Sequence, residues 1–211
     1  MLAGVIYSAL AQAVPTKVIA DSGSAPSMRA IFSGLNLNGN RFTQILFASG
    51  GMGARPTKDG ISTIAFPTNA GAGSIEAFES VAPLIVWQKE FRVDSGGAGT
   101  FRGGLGQVCE IESRALEPLQ LSLLSDRWRH PATGILGGLE GAKSHISFSD
   151  GTVPHQKSRT TIAPGIKLKM AYAGGGGYGD PAQREGRRVC EDLKNGYITA
   201  DAASRIYGEG Q

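Results

Sequence analysis

Asp94, Ser95 and Arg102 stand within "VDSGGAGTFRGGLG", residues 93–106, where six of fourteen positions are glycine. An acid, a hydroxyl and a base on so bare a backbone admit three readings. The N–H groups of Gly96, Gly97, Gly103 and Gly104, with Ser95 beside them, could form a concave nest for a phosphate or carboxylate substrate. The glycines could instead supply the positive φ that tight turns need. Or the bare main chain could let another chain approach closely, making an interface. Asp94 and Arg102, eight positions apart, either pair across the loop in a charge-assisted bond or leave Arg102 to bind a carboxylate.

A second candidate is Asp126–Arg127 in "LSDRWRHPATG". These residues follow an apolar run and neighbour Trp128 and His130, and polar groups at strand ends beside aromatics often line clefts. A structural salt link explains the same pattern. Asp94, Arg102, Asp126 and Arg127 are therefore the candidate catalytic groups, and Ser95, Gly96, Gly97, Gly103 and Gly104 the candidate substrate contacts. Asp59 and Asp150 each precede a glycine, as turn residues do. His130, His145 and His155 have no metal-ligand spacing, so no metal is assigned to this chain. Glu76 and Glu79 have no nucleophile to serve. The glycine motifs match neither a P-loop nor a dinucleotide fingerprint, and no nucleophile elbow is present. On its residues alone the sequence encodes a β-rich domain with glycine loops and no complete active site.

The elements that must hold these residues can be read from pattern. The 211 residues are 41% hydrophobic and 18% charged, which suits a globular chain rather than a disordered one. A net charge of +3 with no basic stripe argues against nucleic acid, and no apolar run is long enough to cross a membrane. Cys109 and Cys190, far apart and without ligand spacing, favour a reducing, cytoplasmic setting. "MLAGVIYSALAQAVP" lacks the positive start of a signal peptide; its apolar residues recur at helical spacing until Pro15.

Strands are expected over 16–20, 28–33 and 41–48, the last two joined by the "NLNGN" turn. Further strands are expected over 61–66, 84–86, 91–93, 106–113, 119–125 and 166–173, with a hairpin over 147–155; 75–79 is ambiguous. After "GGGGYGDP", helices are expected over 187–195, closed by Gly196, and from the Thr199 cap to about 207. The expected class is α+β: a mainly antiparallel β body, residues 1–180, with an N-terminal helix, and a helical tail, 181–211, docked on the same domain.

Taken in order, "GGMGARPTKDG", "IEAFESVAPLIV", "VDSGGAGTFRGGLGQ", "SDRWRHPATGILGG" and "GGGGYGDPAQREGRRVCEDLKNGYITADAASRIYG" resemble the hydantoinase B/oxoprolinase family. That family includes B subunits of ATP-dependent N-methylhydantoinases, the matching half of 5-oxoprolinases, and subunits of acetone and acetophenone carboxylases. The resemblance covers nearly the whole chain and corresponds to the C-terminal part of longer members. "RWRHPATG" departs from it, since members more often carry consecutive prolines there.

The resemblance implies ATP-dependent hydrolysis of a hydantoin, 5-oxoproline or another lactam, or carboxylation of a ketone. It implies ATP and Mg on a partner hydantoinase A-type ATPase subunit and a divalent metal in the family's N-terminal half, which has no counterpart here. The implied partners are that A subunit and that N-terminal half. The alternative is a non-catalytic assembly module that packs against both. Either way, residues 93–106 are expected to face something outside this chain.

Overall fold

The computed structural model describes residues 2–24, 29–68, 71 and 73–208. Eight strands form two four-stranded sheets, and every strand pair is antiparallel. One sheet has the order β2-β1-β5-β7, from β1 (Arg29–Leu35), β2 (Arg41–Leu46), β5 (Leu119–Leu124) and β7 (Lys157–Ile162). The other has the order β3-β4-β8-β6, from β3 (Leu84–Phe91), β4 (Gln107–Ser113), β6 (His145–Phe148) and β8 (Lys167–Ala171). Alternating side chains of the two inner faces make the core. Phe32, Leu119, Leu121 and Ile162 come from the first sheet, and Cys109, Ile111, Ile146, Leu168 and Met170 from the second, all at most 1% exposed. Burying an aliphatic or aromatic side chain in this way contributes about 1.5–3 kcal/mol.

Four helices complete the described chain: α1 (Leu2–Leu10), α2 (Ile75–Val81), α3 (Gly186–Lys194) and α4 (Ala200–Tyr207). The fold is the α+β arrangement expected. Residues 75–79, ambiguous in sequence, become α2 because the Ser74 hydroxyl caps it, accepting from the Ala77 N–H at 3.1 Å. The "NLNGN" turn forms as read, with Asn36 Oδ1 accepting from the Asn38 and Asn40 N–H groups. Residues 84–86 and 91–93 belong largely to one strand, β3, which carries a bulge between Val86 and Gln88.

Three expectations fail. Pro15–Lys17 is a 3-10 turn rather than the start of a strand, and the chain beyond it bonds to a loop, Ala20 N–H to the Ala54 carbonyl at 2.9 Å. Residues 61–66 form turns, with Thr63 at φ 50°. The predicted hairpin over 147–155 has no return strand: β6 turns at Asp150–Gly151, and the next strand, β7, joins the other sheet. Residues 25–28, the last of which opens the strand expected over 28–33, lie outside the described residues.

Register places the glycine segments. The ends of β2, β3, β5 and β8 and the starts of β1, β4, β6 and β7 lie at the same end of the two sheets. The glycine-rich connections therefore converge beyond that end. Residues 173–178, "AGGGGY", run through the middle. Six backbone bonds tie them to four surrounding connections: Gly51 donates to Ala173, Gly174 to Ala142, Gly175 to Gly104, Gly97 to Gly175, Gly176 to Asp21, and Ile135 to Gly177, all between 2.8 and 3.2 Å. A side chain has no room here. A Cβ on Gly51 would sit 1.7 Å from the Gly104 carbonyl oxygen, and one on Gly103 2.0 Å from that of Gly175.

The bareness of residues 93–106 is thus explained by main chain packing on main chain within one molecule. The close approach is made by this chain's own segments, not by another chain as the interface reading expected.

Candidate functional site

Of the candidate residues, Ser95 is 1% exposed. Its hydroxyl donates to the Arg92 carbonyl and accepts from the Gly106 N–H at 2.9 Å. Gly97 N–H donates to Gly175, Gly103 N–H to Gly97 and Gly104 N–H to Met52. Arg102 N–H donates to Asp59 Oδ1 at 2.7 Å. The open anion nest expected here does not form, because these amides already hold the glycine bundle together. Gly96, half-buried, lies with its backbone against Gly103 and the Arg102 guanidinium.

Asp94 and Arg102 do not pair. Asp94, at φ 56°, accepts from the Thr199 N–H at 2.9 Å, and its own N–H donates to Tyr197. It ties the turn between α3 and α4 to the body. Arg102, with a side chain 5% exposed, bonds Asp192 through Nε at 3.1 Å and the Gly103 carbonyl through Nη1 at 2.7 Å. Asp192 also takes Arg184 Nη2 at 2.7 Å, and Arg184 Nη1 reaches Asp59 Oδ1 at 2.8 Å.

Two buried guanidinium groups and two carboxylates therefore alternate, with the Arg184 side chain only 1% exposed. Burial works to raise the Asp59 carboxyl, but the hydrogen bond and charge of Arg184, helped by Arg102, outweigh it and hold the group below its ordinary value. Burial raises the nearby Tyr207 hydroxyl to about 12 against the opposing cations. This cluster clamps the tail: α3 and α4 add a small apolar core of Val189, Ile198, Ala202 and Ala203.

Asp126 and Arg127 sit elsewhere, in a cleft of about 630 Å³ at the same end of the sheets. Arg127 stands at φ 63°, a conformation that costs a non-glycine residue about 1–3 kcal/mol. It is held there by a two-pronged pair with Asp21, Nη1 to Oδ2 at 2.6 Å and Nη2 to Oδ1 at 2.7 Å. Asp126 Oδ1 pairs with Lys157 Nζ at 2.6 Å. The Arg129 guanidinium lies over the Trp128 ring, 4.2 Å from its centroid, and Trp128 meets His155 edge to face. His130 and one side of α1 complete the walls.

The cleft combines an aromatic surface, a guanidinium stacked on it, two imidazoles and two carboxylate–cation pairs. It can hold a planar polar ring that carries negative charge. Asp21, Lys157, Arg184 and Asp192 were not legible as site residues, because their partners stand 106, 31, 125 and 90 positions away. Among the described residues no three His, Cys, Asp or Glu side chains converge as a metal site.

A family model described as Hydantoinase B/oxoprolinase matches residues 1–181. The chain belongs to the hydantoinase B/oxoprolinase family. Among curated family members, it is 31% identical to the beta chain of the caprolactamase of Pseudomonas jessenii, over 98% of this chain and 38% of that one. It is 29% identical to the B-type chain of a putative D-/L-hydantoinase of Pseudomonas sp. strain NS671, over 98% of this chain and 35% of that one. The crystal structure of the ATP-dependent caprolactamase of P. jessenii superposes with a TM-score of 0.80 at 28% identity, covering 97% of this chain and 38% of that one. An acetone carboxylase structure shares the fold, with a TM-score of 0.72 at 21% identity. The chain thus spans little more than a third of the caprolactamase and hydantoinase chains that it matches. No described helix is long and apolar enough to cross a membrane.

Proposed function

We propose that this chain forms the C-terminal part of a B-type subunit of a cytoplasmic, ATP-dependent cyclic amide hydrolase, acting with an ATP-using A-type subunit and the remainder of the B-type subunit. The observation that carries this is the match to an ATP-dependent caprolactamase at a TM-score of 0.80 over 97% of the chain. A lactam or hydantoin is favoured over a ketone. The caprolactamase and hydantoinase chains align with 98% of this one, whereas the alpha chain of acetone carboxylase aligns with 76% at 24% identity.

ATP supplies the phosphoryl group that turns a resonance-stabilised amide carbon into a good electrophile. This chain's contribution is assigned to the cleft. Arg129, stacked on Trp128, and the Lys157–Asp126 pair meet the negative charge that develops on the activated ring. Arg127, fixed by Asp21, sets the conformation of the loop that carries Asp126, Trp128 and Arg129. Arg102 and Asp94, which bond the tail, act as positioning residues.

The assembly-module reading is favoured by one observation: the amides of Gly97 and of residues 100–106 and the Arg102 side chain are already bonded within the chain. The experiment is reconstitution. This chain, combined with the preceding part of a B-type subunit and an A-type subunit, is offered caprolactam, hydantoin and 5-oxoproline with and without ATP. ATP-dependent ring opening of one of them supports the hydrolase reading. Failure with all three by a fully assembled complex contradicts it.

A further inference from the structure

A second cavity lies on the opposite side of the β sandwich, where the open edges of β2 and β3 are bridged by α2. Its volume is about 430 Å³, within the range of small-molecule sites. Its walls are largely apolar, with Ile45, Leu46, Phe47, Phe78 and Val86 among them. One cation, Lys89, also lines it.

The direction of Lys89 follows from the bulge in β3. Val86 pairs with Ile111, a core residue, and the register then shifts by one position before Gln88 pairs with Glu110. Trp87, the extra residue, turns outward and donates to Glu112. After the shift, Lys89 stands opposite Cys109, which is 0% exposed and faces the core. Directly paired residues share a sheet face, so the bulge directs a lysine into the space between the sheets. Without it the alternation would place Gln88 there. Bulges re-aim side chains in this way.

Among the described residues the Lys89 ammonium has no ion pair or hydrogen bond. Lys167 of the same sheet, by contrast, reaches Glu110 at 2.8 Å. Cys109 does not neutralise Lys89, because burial pushes its thiol up to about 12 and keeps it uncharged. An inward cation in an apolar recess is costly unless an anion accompanies it.

We propose that this cavity is a binding site for a small amphiphile: an apolar body between β2 and α2, and a single anionic head group on Lys89. The site is independent of the cleft around Trp128 and of the reaction assigned to it.

The test is calorimetric titration of the 211-residue chain with octanoate and with octan-1-ol, which has the same length and no charge. Octanoate is expected to bind one per chain, at least tenfold tighter than the alcohol. Lys89→Met, which keeps the stem and removes the charge, is expected to weaken octanoate at least tenfold and leave octan-1-ol unchanged, while Lys89→Arg retains binding. Absence of octanoate binding overturns the proposal, as does equal affinity for octanoate and the alcohol. Both of those outcomes are read on the unaltered chain, so they stand whether or not the Met variant folds.

Discussion

Arg184 shows how a single side chain can hold a tail in place. It bridges Asp59 of the body and Asp192 of α3 and is almost wholly enclosed. Arg184→Met is expected to cost about 3–5 kcal/mol, since breaking a buried pair leaves charges uncompensated. A lower urea midpoint at unchanged slope checks this, and a shift under about 1 kcal/mol contradicts it.

The same cluster sets the pH dependence. Asp59 is held below its unfolded value of 3.8, so its contribution is complete above that value and is lost as the pH falls through the lower folded value. Tyr207 works in the opposite sense. Its folded value of about 12 exceeds the ordinary 10.0, so its contribution is complete below pH 10 and is lost as the pH rises toward 12. Melting temperature against pH should therefore fall at both limits, and Tyr207→Phe should flatten the alkaline limb. An alkaline limb identical in that variant contradicts the assignment. None of this was legible in sequence, where Asp59 reads as a turn residue and nothing singles out Arg184. Ion pairs between residues over a hundred positions apart leave no local spacing to detect.

At the scale of elements, sequence pattern served best where periodicity was clear. The strands from Arg29 to Leu46, Gln107 to Leu124 and Lys167 to Ala171 and the two C-terminal helices stand within a few residues of expectation. β7, "KSRTTI", was missed because five of its six residues are polar and it forms a sheet edge. Residues 61–66 were misjudged because an apolar run there covers glycine backbone rather than joining a sheet: Ile61 accepts from Met52, and Ile64 donates to Gly50.

The glycine clusters were legible as exceptional but not as one object. What they surround is other backbone, and backbone carries no sequence signature. A paired substitution tests this. Gly175→Ala brings a Cβ to 2.1 Å from the Met52 carbonyl oxygen and is expected to destabilise by more than about 4 kcal/mol. Gly73→Ala, with nothing within 4 Å, is expected to stay within about 0.5 kcal/mol. Equal effects in urea unfolding contradict a backbone-packed bundle.

For the molecule as a whole, the two sheets and the glycine bundle form a scaffold, and the chemistry is assigned to the surface that the bundle supports. The family resemblance was legible because its motifs are glycine-rich and ordered. The cleft was only half legible: Asp126, Arg127 and Trp128 were visible beside one another, while Asp21 and Lys157 reach them only through the fold. The measurement that bears most directly on this account is the turnover number of the assembled, ATP-supplied enzyme carrying Lys157→Met together with Arg129→Met. We expect ATP-dependent ring opening to fall at least about tenfold, the scale of a lost charge-stabilising contact, while the complex assembles and melts as before. Unchanged turnover in an intact complex contradicts a role for the cleft and leaves the chain as an assembly module.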